Sequence, residues 1–157
     1  MITDDIINAI KTGHKIMIAG NGGLAAESEH FAAELMGKFA YDVYVPCIAL
    51  TTNSSLITAL ANDIGYENVF SHQVSYLGKS GDIFIGMTTS HSKNILMACL
   101  TAANKNILSI LWDGDILLGN TTEEKQEYAI KELHRLARLI KKELYEQSAN
   151  RKPEQPA

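Results

Sequence analysis

The sequence predicts a three-layer α/β/α sandwich built on a mainly parallel sheet of about five strands. Two observations carry this. Short β-rich apolar runs alternate with stretches of helical length and period. The runs are also near-continuously apolar, as in Ile83-Phe84-Ile85-Gly86-Met87, which suits strands covered on both faces. The size agrees, since 157 residues at 46% hydrophobic and 20% charged make one ordinary globular domain.

In order, the expected strands are Lys15 to Ala19, Val43 to Leu50, Asp82 to Met87 and Ile107 to Trp112, with Asp115 to Leu118 as a weaker fifth. Between them, Leu24 to Gly37, Ser54 to Ala61, Asn68 to Leu77 and Ser92 to Ala103 have helical period. A last helix, about Glu123 to Gln147, gathers Ala129, Ile130, Leu133, Ala137, Ile140 and Leu144 on one stripe. Its charged residues, Lys141 among them, fall elsewhere on the helix. The domain is therefore expected to span 1–147. The polar, proline-containing segment 148–157 cannot bury enough surface to offset its ordering entropy and is expected to be a flexible tail.

The formal charge of −4 and pI near 5.7 leave no basic footprint for nucleic acid or an anionic membrane. Cys47 and Cys99 each sit in an apolar run, where a buried reduced thiol is commoner than a bridge, so a cytoplasmic setting is expected. The opening residues carry Asp4 and Asp5 where a signal peptide needs basic residues. No apolar stretch approaches the roughly 18 residues of a membrane span.

In parallel sheets ligands collect beyond the carboxyl ends of the strands, so the loops at Gly20 to Leu24, Thr51 to Ser54, Thr88 to Ser92 and Trp112 to Asp115 should share one rim. Thr88, Thr89, Ser90 and Ser92 place four hydroxyls after a strand and at a helix start. Free backbone N–H groups and the macrodipole favour an anion there, and hydroxyls add donors. Simple N-capping by Ser90 or Ser92 would account for one hydroxyl, not four.

Gly20-Asn21-Gly22-Gly23 allows a tight turn and close approach of a ligand to the backbone. The G-x-G-x-x-G spacing of a dinucleotide site is absent. His30 and Glu34, four apart on a helix, share one face with Glu27 a turn earlier, and could share a proton or a metal. That spacing is also common in solvated helix pairs, and His134 at the edge of the last helix's apolar stripe could equally be structural. Asn62-Asp63-Ile64-Gly65-Tyr66 reads as a helix end and turn.

Taken together these segments resemble the SIS (sugar isomerase) family, of flavodoxin-like fold, and within it the phosphoheptose isomerases. The resemblance runs from about Lys15 to Tyr145. Its most specific pieces are Ala19 to Gly23, His30 to Lys38, Ala61 to Ser71 and Gln126 to His134. It implies an aldose-ketose isomerase acting on sedoheptulose 7-phosphate and D-glycero-D-manno-heptose 7-phosphate. Glu34 and His134 would be base and acid. Asn21, Gly22, Gly23, Thr88, Thr89, Ser90 and Ser92 would hold the phosphate end, and Asp63 and Gln126 the sugar. It further implies a zinc ion on His30, Glu34, Gln126 and His134, and a homo-oligomer, tetramer or dimer, with sites at subunit interfaces.

The chain also departs from the family pattern. Leu24 stands where a phosphate-binding serine is usual, and the loop Ser90-His91-Ser92 is one residue short. Lys38 replaces an arginine and so loses a bidentate fork. The first family helix is missing before Lys15, and a segment after Trp112 is trimmed. Carboxylate and imidazole suit the transfer of a proton between adjacent carbons through an enediol, and the N/O donor set suits Zn²⁺. Gln126 and His134, however, lie eight residues apart, about 12 Å along a regular helix. A single ion meets both only if the helix start is irregular or the two serve different subunits. The other reading is a catalytically weak SIS module that binds a phosphosugar or a protein and regulates it; Leu24 and the short loop favour it, and the retained His30, Glu34, Gln126 and His134 oppose it.

Overall fold

A computed structural model describes residues 2–150. The elements run α1 (Ile2–Lys11), β1 (Ile16–Ala19), α2 (Gly23–Met36), β2 (Cys47–Ala49), α3 (Ser54–Ile64), a 3₁₀ turn (Tyr66–Asn68), α4 (Val69–Leu77), β3 (Ile83–Met87), α5 (Lys93–Asn104), β4 (Leu108–Trp112) and α6 (Thr122–Ala149). All strand pairs are parallel and the sheet order is β2-β1-β3-β4. Ile16 is the common reference of the register, opposite Cys47 on one side and Ile83 on the other.

Continuous apolarity in the strands divides into two cores because successive side chains point to opposite faces. Ile16, Ile18, Ile83 and Ile85 enter a core closed by α1, α2 and α6 through Ile6, Phe31, Leu35, Leu133, Ala137 and Ile140. Met17, Ala19 and Phe84 enter the other, closed by α4 and α5 through Val69, Phe70, Val74, Ile95, Ala98 and Ala102. This is the expected three-layer sandwich. Because β1 is followed in space by β2 on one side and β3 on the other, the loops after β1 and β3 flank the switch point where a crevice opens.

The sheet has four strands among the described residues, not five. Asp115–Leu118 is drawn into a turn. The Asp113 side chain accepts the Asp115 N–H at 3.1 Å, and its carbonyl accepts the N–H groups of Ile116 and Leu117. Such local bonds compete with a ladder, and only Leu117 is buried. The second strand is shorter than expected because Pro46 offers no N–H and the Val45 N–H turns back to the Leu35 carbonyl.

A helix does precede the first strand. α1 carries Asp4 and Asp5 in its first turn and Lys11 in its last, which suits the macrodipole, and it buries Ile6 and Ile7. α6 begins with a capping box, in which the Thr121 hydroxyl accepts the Glu124 N–H and the Glu124 carboxylate accepts the Thr121 N–H. It continues through Ala149, two residues past the expected domain boundary. The expected tail from 151 to 157 lies outside the described residues. Among the described residues no helix is long and apolar enough to cross a membrane.

At the opposite end of the sheet from the rim, buried Asp82 accepts hydrogen bonds from the backbone N–H groups of Lys15 (3.1 Å) and Lys79 (2.8 Å) and from the Lys15 ammonium. Burial alone would raise its pKa, but the Lys15 ammonium and the two amides hold it below the ordinary carboxylate value. A depressed pKa in the fold contributes stability that is present above the unfolded value and lost as pH falls through the folded one. Asp82→Asn is therefore expected to lower unfolding free energy by about 2 kcal/mol at pH 7. In urea titrations the gap between variant and parent should close as pH falls below the ordinary carboxylate value, through the lowered value of Asp82.

Candidate active site

α2 and α6 lie side by side and run in the same direction, pinned by three rungs. A Cβ at Gly23 would fall 2.5 Å from the Gln126 Oε1, so the bare glycine lets that amide lie against the start of α2, and a larger residue would displace it. One step along, His30 meets His134. At the end, the Lys141 ammonium donates to the Gly37 carbonyl. Sequence placed Lys141 among the charged residues off the apolar stripe, yet it is fully buried. The last carbonyls of α2 lack intrahelical partners, and a cation there satisfies one while suiting the negative end of the dipole. Burial pushes the Lys141 pKa down, opposed by Glu34 and Asp42.

The middle rung gathers two imidazoles and a carboxylate. Glu34 Oε1 lies 3.0 Å from His30 Nε2 and 3.0 Å from His134 Nε2, and the two Nε2 atoms are 3.1 Å apart. His30 and His134 are about half exposed at 52% and 41%, whereas the Glu34 side chain is 9% exposed. The His134 ring is held by stacking on Phe39, with centroids 6.0 Å apart, and Arg138 covers the Phe39 ring.

A triangle this tight is awkward for hydrogen bonds alone. If both Nε2 atoms carry protons toward the carboxylate, those protons face each other; if one is bare, one edge to the carboxylate loses its proton. A cation on the triangle removes the conflict. Ligands at the 2.0–2.1 Å of a tetrahedral zinc-type site sit about 3.3 Å from one another, close to these edges. The donor atoms of His30, Glu34 and His134 could therefore hold a metal ion. The other carboxylate oxygen, Glu34 Oε2, is buried without a hydrogen-bond partner.

Gln126 is not at this point of convergence. α6 is regular from Thr122, so an irregular helix start does not bring Gln126 to His134, and its amide packs instead over Gly23. Asp63 is exposed at the end of α3, where its carboxylate accepts the Asn62 amide at 2.8 Å. It is not among the residues lining the cleft described next.

Across the switch point, the loop after β3 folds around Thr88. The buried Thr88 hydroxyl oxygen accepts the N–H groups of Ser90 (3.2 Å) and Ser92 (2.9 Å) and donates to the Ser92 hydroxyl at 3.1 Å. The Ser90 and Ser92 hydroxyls come within 3.4 Å, so they converge despite the short loop. The Thr88 hydroxyl is used in building the turn. Thr89 is half-buried and Ser90 exposed. Leu24 is buried in the core, so packing rather than another polar group occupies that position.

Asn21 faces this loop. Its amide exchanges a pair of 2.9 Å hydrogen bonds with the Asn94 amide, and its oxygen also accepts the Tyr66 hydroxyl at 2.9 Å. These residues, with Glu67, Ser92 and Lys93, line a cleft of about 390 Å³. Gly22 and Gly23 form the turn into α2, Gly22 at φ +58°. Sequence reading missed Asn94 and Tyr66 as cleft residues. A hint lay in Asn94 being the second residue of a helix that opens on a hydroxyl-rich loop.

Glu27 occupies the α2 face between the Gly23 and His30 rungs. Burial alone pushes its pKa up to about 7, and Oε2 is buried with no partner. The folded state thus binds a proton that the unfolded chain releases at lower pH, and stability falls as pH rises from about 4.5 to about 7. Glu27→Gln should abolish that component. In thermal melts between pH 5 and 8, the parent's Tm is expected to decline relative to the variant's, the difference levelling off above pH 8.

Among known protein families, residues 2–110 match the SIS domain. The phosphoheptose isomerase of Sulfurimonas denitrificans is 40% identical over 151 residues, covering 87% of this chain and 77% of the relative. Phosphoheptose isomerase 2 of Campylobacter jejuni is 45% identical over 129 residues, covering 81% of this chain and 63% of that protein. The solved structure of phosphoheptose isomerase GmhA from Neisseria gonorrhoeae superposes with a TM-score of 0.81 at 31% identity, covering 88% of this chain and 82% of that one. Sharing its fold and this level of identity with those proteins, the chain belongs to the SIS domain family, as a homologue of the phosphoheptose isomerases.

Proposed function

We propose that the chain is an aldose-ketose isomerase that interconverts sedoheptulose 7-phosphate and D-glycero-D-manno-heptose 7-phosphate. The observation that carries this is the His30–Glu34–His134 triangle, on the helix that starts at the same glycine loop as the hydroxyl-lined cleft. One end of a sugar phosphate would be anchored there while the other is worked on.

The Ser90 and Ser92 hydroxyls, Thr89, the turn at Gly22 and Gly23 and the amide of Asn21 bind the phosphate end, with the start of α5 adding its dipole. Gln126, held over Gly23, contacts the sugar chain between the two ends. Glu34 takes the proton from the carbon beside the carbonyl and returns it to the neighbouring carbon. Where its Nε2 holds no metal, His134 gives and recovers the proton on oxygen, its ring oriented by Phe39. A Zn²⁺ ion held by His30, Glu34 and His134 supplies, when bound, polarisation of the carbonyl and stabilisation of the developing oxyanion.

The chain works as a homo-oligomer. α3 packs Ile57 and Leu60 partly against the core beneath it and leaves Ile64 exposed and Leu56 half-exposed, and a second copy of the chain covers that outer side. The cytoplasm suits the free thiols of Cys47 and Cys99. A binding-only module is the second reading, and the buried Leu24 together with the inward commitment of the Thr88 hydroxyl favours it.

The deciding measurement is a coupled assay of sedoheptulose 7-phosphate turnover, with and without added Zn²⁺. Glu34→Gln is expected to reduce kcat by roughly 10²- to 10⁴-fold, the usual contribution of a positioned general base, while sedoheptulose 7-phosphate still binds. Purified parent protein that binds the sugar phosphate yet turns over no faster than Glu34→Gln under both metal conditions would sink the enzymatic reading in favour of the binding module.

A further inference from the structure

The turn Asn62-Asp63-Ile64-Gly65-Tyr66 has no part in the isomerisation described above, yet it delivers a side chain to the cleft. Gly65 ends α3 at φ +91°, and a Cβ there would fall 2.8 Å from the Glu67 carboxylate. Only glycine adopts that conformation without strain. The reversal starts the 3₁₀ turn and aims Tyr66 back across the crevice, where its hydroxyl donates to Asn21 Oδ1 at 2.9 Å.

The hydrogen-bonding capacity of this cluster can be counted. Asn21 Oδ1 has two lone pairs, and the Asn94 Nδ2 and the Tyr66 hydroxyl fill both. One Asn21 N–H is given to Asn94 Oδ1. What the two amides have left is one N–H on Asn21, one N–H on Asn94 and a single lone pair on Asn94 Oδ1. Asn94 is 3% exposed, so the pairing is sheltered from water. The exchange between two amides is nearly as good with both groups flipped, since donors and acceptors simply trade places. A hydroxyl donating to Asn21 Oδ1 favours the orientation in which the remaining Asn21 function is a donor.

We propose that Tyr66 is a positioning residue of the cleft: through Asn21 it ties the glycine loop after β1 to the start of α5, and it keeps the amides presenting N–H donors to the oxygens of a bound phosphosugar. This rests on the phosphosugar reading of the cleft. The ion pair of Lys93 and Glu67, 3.9 Å apart and largely exposed, lies on the same cleft. Screened by solvent, it adds little to the fixing of the loops. Tyr66 is itself half exposed at 52%, so removing its hydroxyl leaves the packing of the ring and the fold in place.

The test is a double-mutant cycle on the full chain, with calorimetric Kd for sedoheptulose 7-phosphate measured beside turnover. Tyr66→Phe is expected to raise Kd and KM about three- to ten-fold, the size of one neutral hydrogen bond, with kcat changed less than about two-fold and Tm unmoved. In an Asn21→Ala background the same change should add nothing, because Tyr66 acts through Asn21. An unchanged Kd in Tyr66→Phe overturns the proposal, as does an equal penalty in the Asn21→Ala background or a loss confined to kcat. Parent protein that binds the sugar phosphate without converting it overturns the isomerase reading alone, since the Kd cycle still decides the role of Tyr66. Parent protein that does not bind it overturns both.

Discussion

The meeting of His30, Glu34 and His134 depends on the register between two parallel helices. α2 and α6 meet through Phe31 and Leu35 on one side and Leu133, Ala137 and Ile140 on the other, all buried in one core. That packing fixes which residues face each other along the seam. With Gly23 under Gln126 and Gly37 under Lys141, His134 has no choice but to meet His30. Sliding α6 by one turn would move its imidazole by about 5.4 Å, enough to dissolve a triangle whose edges are 3.0–3.1 Å. The two end rungs thus matter to the triangle as much as its own side chains do. One seats the Gln126 amide against a glycine, and the other buries a whole lysine to hold a helix end.

A second constraint comes from the order of the strands. The chain steps from β1 outward to β2 and later returns to lay β3 on β1's other side. The loops after β1 and β3 are therefore the two lips of one crevice, though they lie about seventy residues apart in sequence. Asn21 and Asn94 close that gap with a reciprocal amide pair, and Tyr66 adds a third element from the end of α3. A Thr88-centred turn keeps the neighbouring hydroxyls in place. The loop keeps two hydroxyls together, whereas Leu24 is given wholly to the core.

Some features were legible because the physics behind them is local. Apolar runs of strand length and helical periodicity identified the strands β1, β3 and β4 and the helices α2 to α6, since burial of a face leaves its period in the residues themselves. His30 and Glu34 could be put on one face from their spacing alone. Other features were illegible for the opposite reason. Asp115–Leu118 looks like a strand by composition, but one aspartate side chain captures its backbone before a neighbour can. Lys141 looks like a surface residue until a helix terminus is found to need a donor beside it. Ile2–Lys11 carries dipole-matched charges and a buried pair of isoleucines, signals that served only to exclude a signal peptide.

The sequence by itself determined the layers of the fold, the position of the glycine and hydroxyl loops at strand ends, and the proximity of an imidazole and a carboxylate one helical turn apart, because each is set by residues within a few positions of one another. Only the tertiary structure decided that His134 completes that pair while Gln126 lies over Gly23, that Asn94 and Tyr66 join Asn21, and that β4 is an edge of the sheet among the described residues. Those outcomes depend on how far one packed element is displaced against another, a quantity that no local pattern of residues contains.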